Sequence, residues 1–506
     1  MPQYSSNVKR YHSYRNRGRR PYNSDDYYQE NENHYVPSSY QTALCHTEKR
    51  NTYSDNDRSK KASYNSNHNR SLTQSSRHRG RYHTTVSDRN GDPVRSRDSF
   101  KNDSFLFCSN YTYKGVCDYR PRCRLRHELR LVAKTAAAHS KGIYSMCSVA
   151  LVPNEQDRRM INIQEGISIV ELYTSSQDKT IKRWMLYPAS SQVSPCDTPE
   201  KCQASPDEDL KLQLASIIQM ESVCLSMFFG EGCLICGLND GTIKIFDRET
   251  GYEITLKGHK VEVHCVKLID RILVSGDWNG LLKLWTPNAA EKNFNETASI
   301  DVGSPITCFV DVSIPIPSDN GAAIQRHLWI GCSTAIKILD LQTLTIVKSI
   351  SLSPSPSVRA TPAKESHSYS RRRFDPVVMG LCVVDDHIVC SLLSGLTKIY
   401  SVRDFNQVMT DKSTDVKPKN FEKRHLCSMT VSSSEDGPAL VCGRAQGVIS
   451  VCHLPEIKHE ILLKQAHEHD VRSVHNIGGH PSYFCTAGFD GSLCVWHWKK
   501  QICLKT

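Results

Sequence analysis

Four metal-binding side chains fall within one short stretch of the chain. Cys108, Cys117, Cys123 and His127 follow the spacing C-x8-C-x5-C-x3-H. Three thiolates and one imidazole complete a closed tetrahedral zinc site. Because so short a segment cannot build an apolar core, its folding and its zinc binding are expected to be one event. We therefore predict a zinc finger over residues 101–130, with one structural zinc ion as the cofactor.

The spacing resembles that of the CCCH zinc-finger family, which is best known for binding single-stranded RNA. Tyr111 and Tyr119 stand where that family places base-stacking aromatic rings. The resemblance implies an RNA-binding surface, in which rings stack on bases and basic side chains bind phosphates or stack. Five basic residues are candidates for it: Lys114, Arg120, Arg122, Arg124 and Arg126. Leu125 replaces the family's usual Phe, which argues against specificity for AU-rich elements.

A strand–turn–strand repeat follows the finger. Its typical form is Gly-Thr-Ile-Lys-Ile-Trp, and seven copies end at Trp184, Phe246, Trp285, Leu339, Tyr400, Cys452 and Trp496. WD repeats recur every ~40–45 residues, so longer intervals indicate inserted loops. The sequence predicts a mainly β protein with a seven-bladed WD40 β-propeller over residues 131–506.

Polar residues recur at fixed places within the repeats. Copies 7, 1 and 3 offer the sets His467/Thr486/Asp490/Trp496, His139/Thr174/Asp178/Trp184 and His259/Ser275/Asn279/Trp285. Each set resembles a Ser-His-Asp catalytic arrangement. Its recurrence at the same repeat position indicates instead that the side chains satisfy one another inside each blade.

The last outer strand of the propeller has two candidates. Either Glu128–Ala138 or Gln501–Lys505 could supply it. In the first case the finger would be tied to the ring almost without a linker.

Residues 1–100 contain few large aliphatic side chains and many Ser, Asn, Tyr and Arg residues, which predicts a disordered tail. Two insertions, near residues 188–210 and 351–375, are predicted to be disordered as well. Residues 1–130 hold 25 Lys or Arg against 13 Asp or Glu, so the positive excess of the chain lies there. A basic end on a neutral body is typical of a protein that contacts a polyanion.

The 21 cysteines are scattered through predicted strands, as expected of free thiols in a reducing compartment. No signal peptide or membrane span is predicted. We expect a nuclear protein, with the cytoplasm as the alternative location. No motif of a common enzyme class occurs, and Cys233-Leu-Ile-Cys236 is interpreted as strand core rather than a redox pair. Neither an enzyme nor a small-molecule substrate is predicted.

A finger before a propeller resembles the plant family of CCCH zinc-finger proteins with WD repeats, over roughly residues 100–506. The resemblance implies a non-enzymatic protein that binds RNA, or DNA, through the finger. The first hypothesis is an adaptor whose finger binds single-stranded RNA while the propeller recruits proteins. The second is a protein-interaction scaffold, such as a ubiquitin-ligase substrate receptor, with a structural finger. A regulator that binds duplex DNA fits less well, because the finger has no element shaped for the major groove.

Overall fold

The computed structural model describes residues 106–498 apart from internal segments. The segments left out are 120–121, 153–154, 162–168, 189–209, 289, 291–292, 319–320, 353–376, 411–424, 435–436, 456 and 458–459. The predicted disordered tail, nearly all of the two predicted insertions, and Gln501–Lys505 all lie outside the described residues.

The described strands form seven antiparallel sheets of four strands each, so the chain is a seven-bladed β-propeller, as predicted. The first strands of neighbouring blades contact one another around the ring and are therefore its innermost strands. Apolar residues on both faces of each sheet pack between blades and form the core.

Blades 1 to 4 follow one another along the chain. Blade 1 consists of β2 (Ile143–Leu151), β3 (Ile169–Ser176), β4 (Thr180–Pro188) and β5 (Leu210–Gln219), and blade 2 of β6 (Cys224–Gly230), β7 (Cys233–Leu238), β8 (Thr242–Asp247) and β9 (Glu253–Lys257). Blade 3 consists of β10 (Val263–Ile269), β11 (Ile272–Asp277), β12 (Leu281–Asn288) and β13 (Asn293–Asp301). Blade 4 consists of β14 (Ile306–Ser318), β15 (Gly321–Cys332), β16 (Ala335–Asp340) and β17 (Thr345–Ser351).

Blades 5 to 7 complete the ring. Blade 5 consists of β18 (Val378–Val384), β19 (His387–Leu392), β20 (Thr397–Ser401) and β21 (Gln407–Thr410). Blade 6 consists of β22 (Leu426–Ser434), β23 (Gly437–Arg444), β24 (Ile449–His453) and β25 (Glu460–Leu463). Blade 7 consists of β26 (Val471–Asn476), β27 (Tyr483–Gly488), β28 (Leu493–Trp498) and β1 (Leu129–Thr135).

Helices are few in the described residues. They are α1 (Ser109–Lys114), α2 (Glu155–Ile161) and a 3-10 turn at Ala445–Gly447. None of the described helices is long and apolar enough to cross a membrane.

The ring is closed by β1, the first strand among the described residues. It pairs antiparallel with β28 from Leu129↔Trp498 to Thr135↔Leu493 and is the outermost strand of blade 7. Of the two candidates for this strand, the N-terminal one is correct. Since β1 begins two residues after His127, the finger joins the ring almost without a linker, as that alternative required.

The polar sets of blades 7 and 1 are buried hydrogen-bond networks. In blade 7, His467 Nε2 lies 2.7 Å from Thr486 Oγ1, which also accepts from Trp496 Nε1 at 2.8 Å. His467 Nδ1 lies 3.3 Å from an oxygen of Asp490. Burial opposes the ionisation of Asp490, but the hydrogen bonds from His467 and the backbone outweigh it and lower the carboxyl pKa. Blade 1 repeats the arrangement, with His139 Nε2 2.8 Å from Thr174 Oγ1.

Blade 3 uses a different acidic residue from the one predicted. His259 Nδ1 lies 2.9 Å from Asp277 Oδ2, and His259 Nε2 lies 2.7 Å from Ser275 Oγ. Asn279, the residue at the predicted turn position, was therefore the wrong assignment. Asp277 takes this role. Its Oδ2 lies beside His259, while its Oδ1 accepts the backbone N–H groups of Asn279 and Leu281. One side chain therefore bonds to both the histidine and the turn.

Several blades lack the hydroxyl of this network. The strand register places Cys236, Cys390 and Cys442 in blades 2, 5 and 6 where blade 7 has Thr486. All three thiols are buried, and burial raises the pKa of Cys442 to about 12. Burial also raises the pKa of Cys236, which supports the interpretation of that residue as strand core.

Candidate metal centre on the propeller rim

The four predicted ligands lie together in the part of the finger that the structure describes, residues 106–119 and 122–130. One donor atom from each of Cys108, Cys117, Cys123 and His127 lies within 4.8 Å of all the others. Cys108, Cys117 and His127 are buried, and Cys123 is partly buried. The cluster can therefore hold a metal ion inside the finger, away from solvent.

The donor set fits zinc. Four ligands at tetrahedral positions with Zn–S bonds of ~2.3 Å would place sulfur atoms roughly 3.8 Å apart. Cys108 Sγ donates to Cys117 Sγ at 3.6 Å, close to that separation. Burial raises the pKa of the Cys108 thiol to about 11. Burial also pushes the pKa of Cys117 upward, but the Tyr119 N–H and neighbouring thiols outweigh it and leave that pKa lowered.

A short helix and its terminating glycine bring the first two cysteines together. Helix α1 starts directly after Cys108 and ends at Gly115, which has a φ of 73° and donates its N–H to Tyr111 O. Glycine adopts this left-handed conformation without the penalty of a Cβ atom. A Cβ atom here would also lie 3.3 Å from Arg130 Nε. The turn at Gly115 therefore lets the chain return to the cluster with Cys117.

The chain on either side of the cluster pairs with itself and with the propeller. Cys108 N donates to Arg126 O at 2.9 Å, and Arg126 N donates to Leu106 O at 3.0 Å. Phe107 N donates to Leu462 O in β25, at 3.1 Å. The finger thus extends the backbone pairing of blade 6, while β1 carries it into blade 7.

Two aromatic side chains of the finger pack on the propeller core. Phe107 is 3% exposed, and its ring centroid lies 6.5 Å from that of Trp498. Tyr113 lies edge-on to Trp496 at 6.3 Å and donates its hydroxyl to Gln465 O at 3.1 Å. Sequence reasoning did not identify these contacts, although the apolar stretch before Cys108 was a possible signal for the first. The finger and the propeller rim share one core.

The two tyrosines predicted to stack on bases have different surroundings. Tyr111 is 5% exposed, and its ring lies edge-on to His127 at 5.2 Å, so it forms part of the finger's own core. Its burial is contrary to the base-stacking role predicted for it, because little of the ring is open to a ligand. Tyr119 is 68% exposed and keeps its ring on the surface.

The basic residues also divide into groups. Lys114, Arg122 and Arg124 are exposed. Arg126 is partly buried and forms an ion pair with Glu128 through its Nε at 2.8 Å and a second nitrogen at 3.0 Å. Arg120 lies outside the described residues. Of the predicted nucleic-acid-binding residues that the structure describes, the exposed ones are therefore Tyr119, Lys114, Arg122 and Arg124.

Residues 252–286 and 460–497 match the family model of the WD domain, G-beta repeat. Each segment covers the outermost strand of one blade and the three inner strands of the next, which are those of blade 3 and blade 7. Blades 3 and 7 are two of the blades with a complete histidine network. The propeller therefore contains WD repeats in these two segments. No match to a CCCH zinc-finger family is found, so the resemblance of the finger to that family depends on its ligand spacing and its Cys/His cluster. Comparison with curated proteins gives no match.

WD propellers are typically non-enzymatic scaffolds for protein interactions. The Ser-His-Asp-like sets of this WD propeller agree with that role. The hydroxyl of each set is buried and already bonded to a tryptophan N–H as well as to a histidine, as at Thr174, Ser275 and Thr486. Such hydroxyls cross-link the strands of a blade and are not presented to a substrate.

Proposed function

We propose that the protein is an adaptor whose WD propeller binds protein partners and whose finger binds zinc and single-stranded RNA. The observation that carries the proposal is the position of the finger. Phe107 and Tyr113 fix it to blades 6 and 7, while Tyr119 on the same segment remains 68% exposed. A ligand held at Tyr119 would therefore have a defined position relative to proteins bound by the propeller.

Single-stranded RNA suits the exposed surface of the finger. An open aromatic ring can stack on any unpaired base, and nearby cations can bind the phosphates. Lys114, Arg122 and Arg124 supply such cations, whereas Tyr111 is left out because its ring is buried. Duplex DNA is less suitable, since α1 has only six residues and cannot follow a major groove. A nuclear location, with the cytoplasm as the alternative, is part of the same proposal.

The second candidate is a scaffold in which the zinc-bound finger has only a structural role. The packing of Phe107 against Trp498 favours it, because a segment that shares the core of blade 7 stabilises the ring whatever else it binds. The two candidates differ in the part assigned to Tyr119. Only the adaptor needs its exposed ring.

Fluorescence anisotropy with the full-length, zinc-loaded protein separates them. Labelled single-stranded RNAs and a duplex DNA competitor are titrated at two salt concentrations. We expect Tyr119→Ala to weaken RNA binding by roughly 5- to 150-fold, because removing one base–aromatic stack costs ~1–3 kcal/mol. Higher salt should weaken binding by the wild-type protein, since phosphate contacts release counterions.

Tyr252→Ala is the matched control, since Tyr252 is 55% exposed on blade 2, away from the finger. Equal RNA affinity of the wild type, Tyr119→Ala and Tyr252→Ala, or no RNA binding by any of them, would reject the adaptor in favour of the structural finger. Zinc content measured on the same samples tests the metal assignment, and Cys117→Ser should lose the ion.

A further inference from the structure

A β-bulge recurs at the beginning of the innermost strand of every blade. In each blade one residue of that strand has no partner in the neighbouring strand, because the pairing register shifts around it. Bulges of this kind redirect a side chain and are common beside functional sites. In blade 7 the bulge residue is Arg472, and in the other blades it is Tyr144, Leu225, His264, Thr307, Met379 or Cys427.

Arg472 is the one permanently charged residue among these seven bulge positions. Its guanidinium carbon lies 4.3 Å from the ring centroid of Phe489, in the turn between β27 and β28. Its Nε is buried and has no hydrogen-bond acceptor among the described residues, and no ion pair to Arg472 is found within them. The side chain as a whole is only half-buried. A cation therefore lies over the ring with no ion-pair partner among the described residues.

Two carboxylates near the members of this contact in sequence are engaged elsewhere: Asp470 precedes Arg472 by two residues, and Asp490 follows Phe489. Asp470 accepts the backbone N–H of Gln446 at 2.9 Å. Asp490 accepts from the backbone of Ser492 and Glu468 and lies beside His467 in the blade 7 network. Neither carboxylate is within ion-pair distance of Arg472.

Two aromatic rings stand beside this cation. Phe489 and Tyr144 lie edge to face, with centroids 6.0 Å apart, and both rings are half-buried. Gly142 makes the arrangement possible, because a Cβ atom there would meet the Phe489 ring at 2.4 Å. We call Arg472, Phe489 and Tyr144 the mouth platform. It joins blade 7 to blade 1 at the beginnings of the innermost strands β26 and β2.

We propose that the mouth platform binds an acidic segment of a protein partner, with a carboxylate on Arg472 and an apolar neighbour against Phe489 and Tyr144. A guanidinium pairs with a carboxylate through parallel hydrogen bonds. An aromatic neighbour adds apolar area at little cost in side-chain entropy. A nucleic acid is the poorer ligand, because binding to a phosphate backbone draws on several cations and the platform has one. The inference depends on the proposed role of the propeller in binding proteins.

The test uses the full-length protein and a short labelled peptide that alternates leucine and glutamate. The matched peptide has glutamine in place of every glutamate. We expect binding of the glutamate peptide at low ionic strength, at least about tenfold weaker binding of the glutamine peptide, and a similar loss in Arg472→Gln. Arg472→Lys should recover only part of the affinity, since a lysine keeps the charge but not the paired geometry.

Arg403→Gln is the control variant, because Arg403 is an exposed arginine on blade 5 that pairs with Asp386. Thermal unfolding of each variant shows whether it is folded. Gly142→Ala provides an independent disturbance of the platform that leaves the charge in place, and it should also weaken the glutamate peptide. Equal binding by the wild type and Arg472→Gln, or no binding by the wild type, overturns the proposal.

An RNA oligonucleotide that binds through Arg472 while the peptide does not would also overturn it. Tyr119→Ala distinguishes this proposal from the RNA-binding part of the adaptor, because that change should reduce RNA binding and leave peptide binding intact. If peptide binding depends on Arg472 but RNA binding fails, the platform stands and the adaptor does not.

Discussion

Blades 7 and 4 have the same four-stranded fold but different interiors. Blade 7 holds its strands together through Thr486, which bonds to His467 and Trp496. The strand register places Ile330 and Leu339 of blade 4 at the positions of Thr486 and Trp496. Directional hydrogen bonds in one blade are thus replaced by close-packed aliphatic side chains in the other.

The difference shows that the blade geometry does not depend on the polar network. Both Ile330 and Leu339 are 0% exposed, so apolar burial alone supports the same strand arrangement. The polar version occurs in blades 1 and 3 as well as in blade 7. Buried side-chain atoms without a hydrogen-bond partner among the described residues occur in both blades, for example Trp329 Nε1 in blade 4 and Asn476 Oδ1 in blade 7.

Removal of zinc should have the largest effect on stability, and this effect should be concentrated on the blade 7 side of the ring. The cluster fixes the segment that carries Phe107 and leads into β1, so chelation should release both. We expect the free energy of unfolding to fall by about 5 kcal/mol or more, since structural zinc contributes ~10–16 kcal/mol in isolated fingers. Hydrogen exchange should accelerate most in β1 and β28, which open locally, and least in β15 and β16.

Cys117→Ser should reproduce the effect of chelation. Cys233→Ser is its control, because Cys233 is a partly buried cysteine of β7 that is not in the cluster. Equal acceleration in blades 4 and 7 would show that the finger does not act through ring closure.

Removal of the Thr486 hydroxyl should have the next largest effect on the free energy of unfolding. Thr486→Val keeps the shape of the side chain but leaves His467 Nε2 and Trp496 Nε1 without their partner. We expect a loss of about 2–4 kcal/mol in the free energy of unfolding, since each buried unsatisfied group costs ~1–3 kcal/mol. At the equivalent position of blade 4, Ile330→Val should cost only ~0.5–1.5 kcal/mol. Denaturation midpoints of the two variants measure the difference, and similar losses would contradict it.

Acidification should lower the stability of the protein by a smaller amount, through histidines in both blade 7 and blade 4. Burial lowers the pKa of His475 in blade 7 to about 4 and also lowers the pKa of His327 in blade 4, where Asp340 partly opposes it. A histidine whose pKa is lower in the folded state takes up its proton first in the unfolded state. Its contribution to stability is therefore complete above the ordinary pKa of ~6.5 and is lost as the pH falls towards 4.

At pH 5 the loss should be on the order of 1–2 kcal/mol for His475, because one pKa unit corresponds to ~1.4 kcal/mol. Chemical denaturation at pH 7 and pH 5 measures it. His475→Gln should reduce the difference between the two pH values, whereas the exposed His469→Gln should not. An unchanged difference in His475→Gln would show that other groups cause the acid sensitivity.

Repetition and ligand spacing made most of the fold predictable. Seven copies of one strand pattern are enough to predict seven blades, because each copy alone cannot bury its apolar faces. Cys108, Cys117, Cys123 and His127 were also found from spacing alone, since a closed metal site restricts the distance along the chain between its ligands. The matches at residues 252–286 and 460–497 fall on blades that keep the repeat's full polar pattern.

Contacts between distant parts of the chain were harder to predict. Phe107 meets Trp498, and Tyr111 is buried beside His127, because the finger folds back on itself and docks on a rim formed by the other end of the chain. Asp277 took the role assigned to Asn279 because a residue at the end of a strand can reach the same histidine as a turn residue. The repeat pattern contains no information on either outcome.

The position of β1 also determines the order of events during synthesis. This strand leaves the ribosome directly after the finger, while its partner β28 follows only after six blades have been made. The nascent chain must therefore keep an unpaired edge strand from associating wrongly throughout that interval. A finger that folds around its metal early would hold the start of this strand in place until β28 has been made, and the ring would close only then.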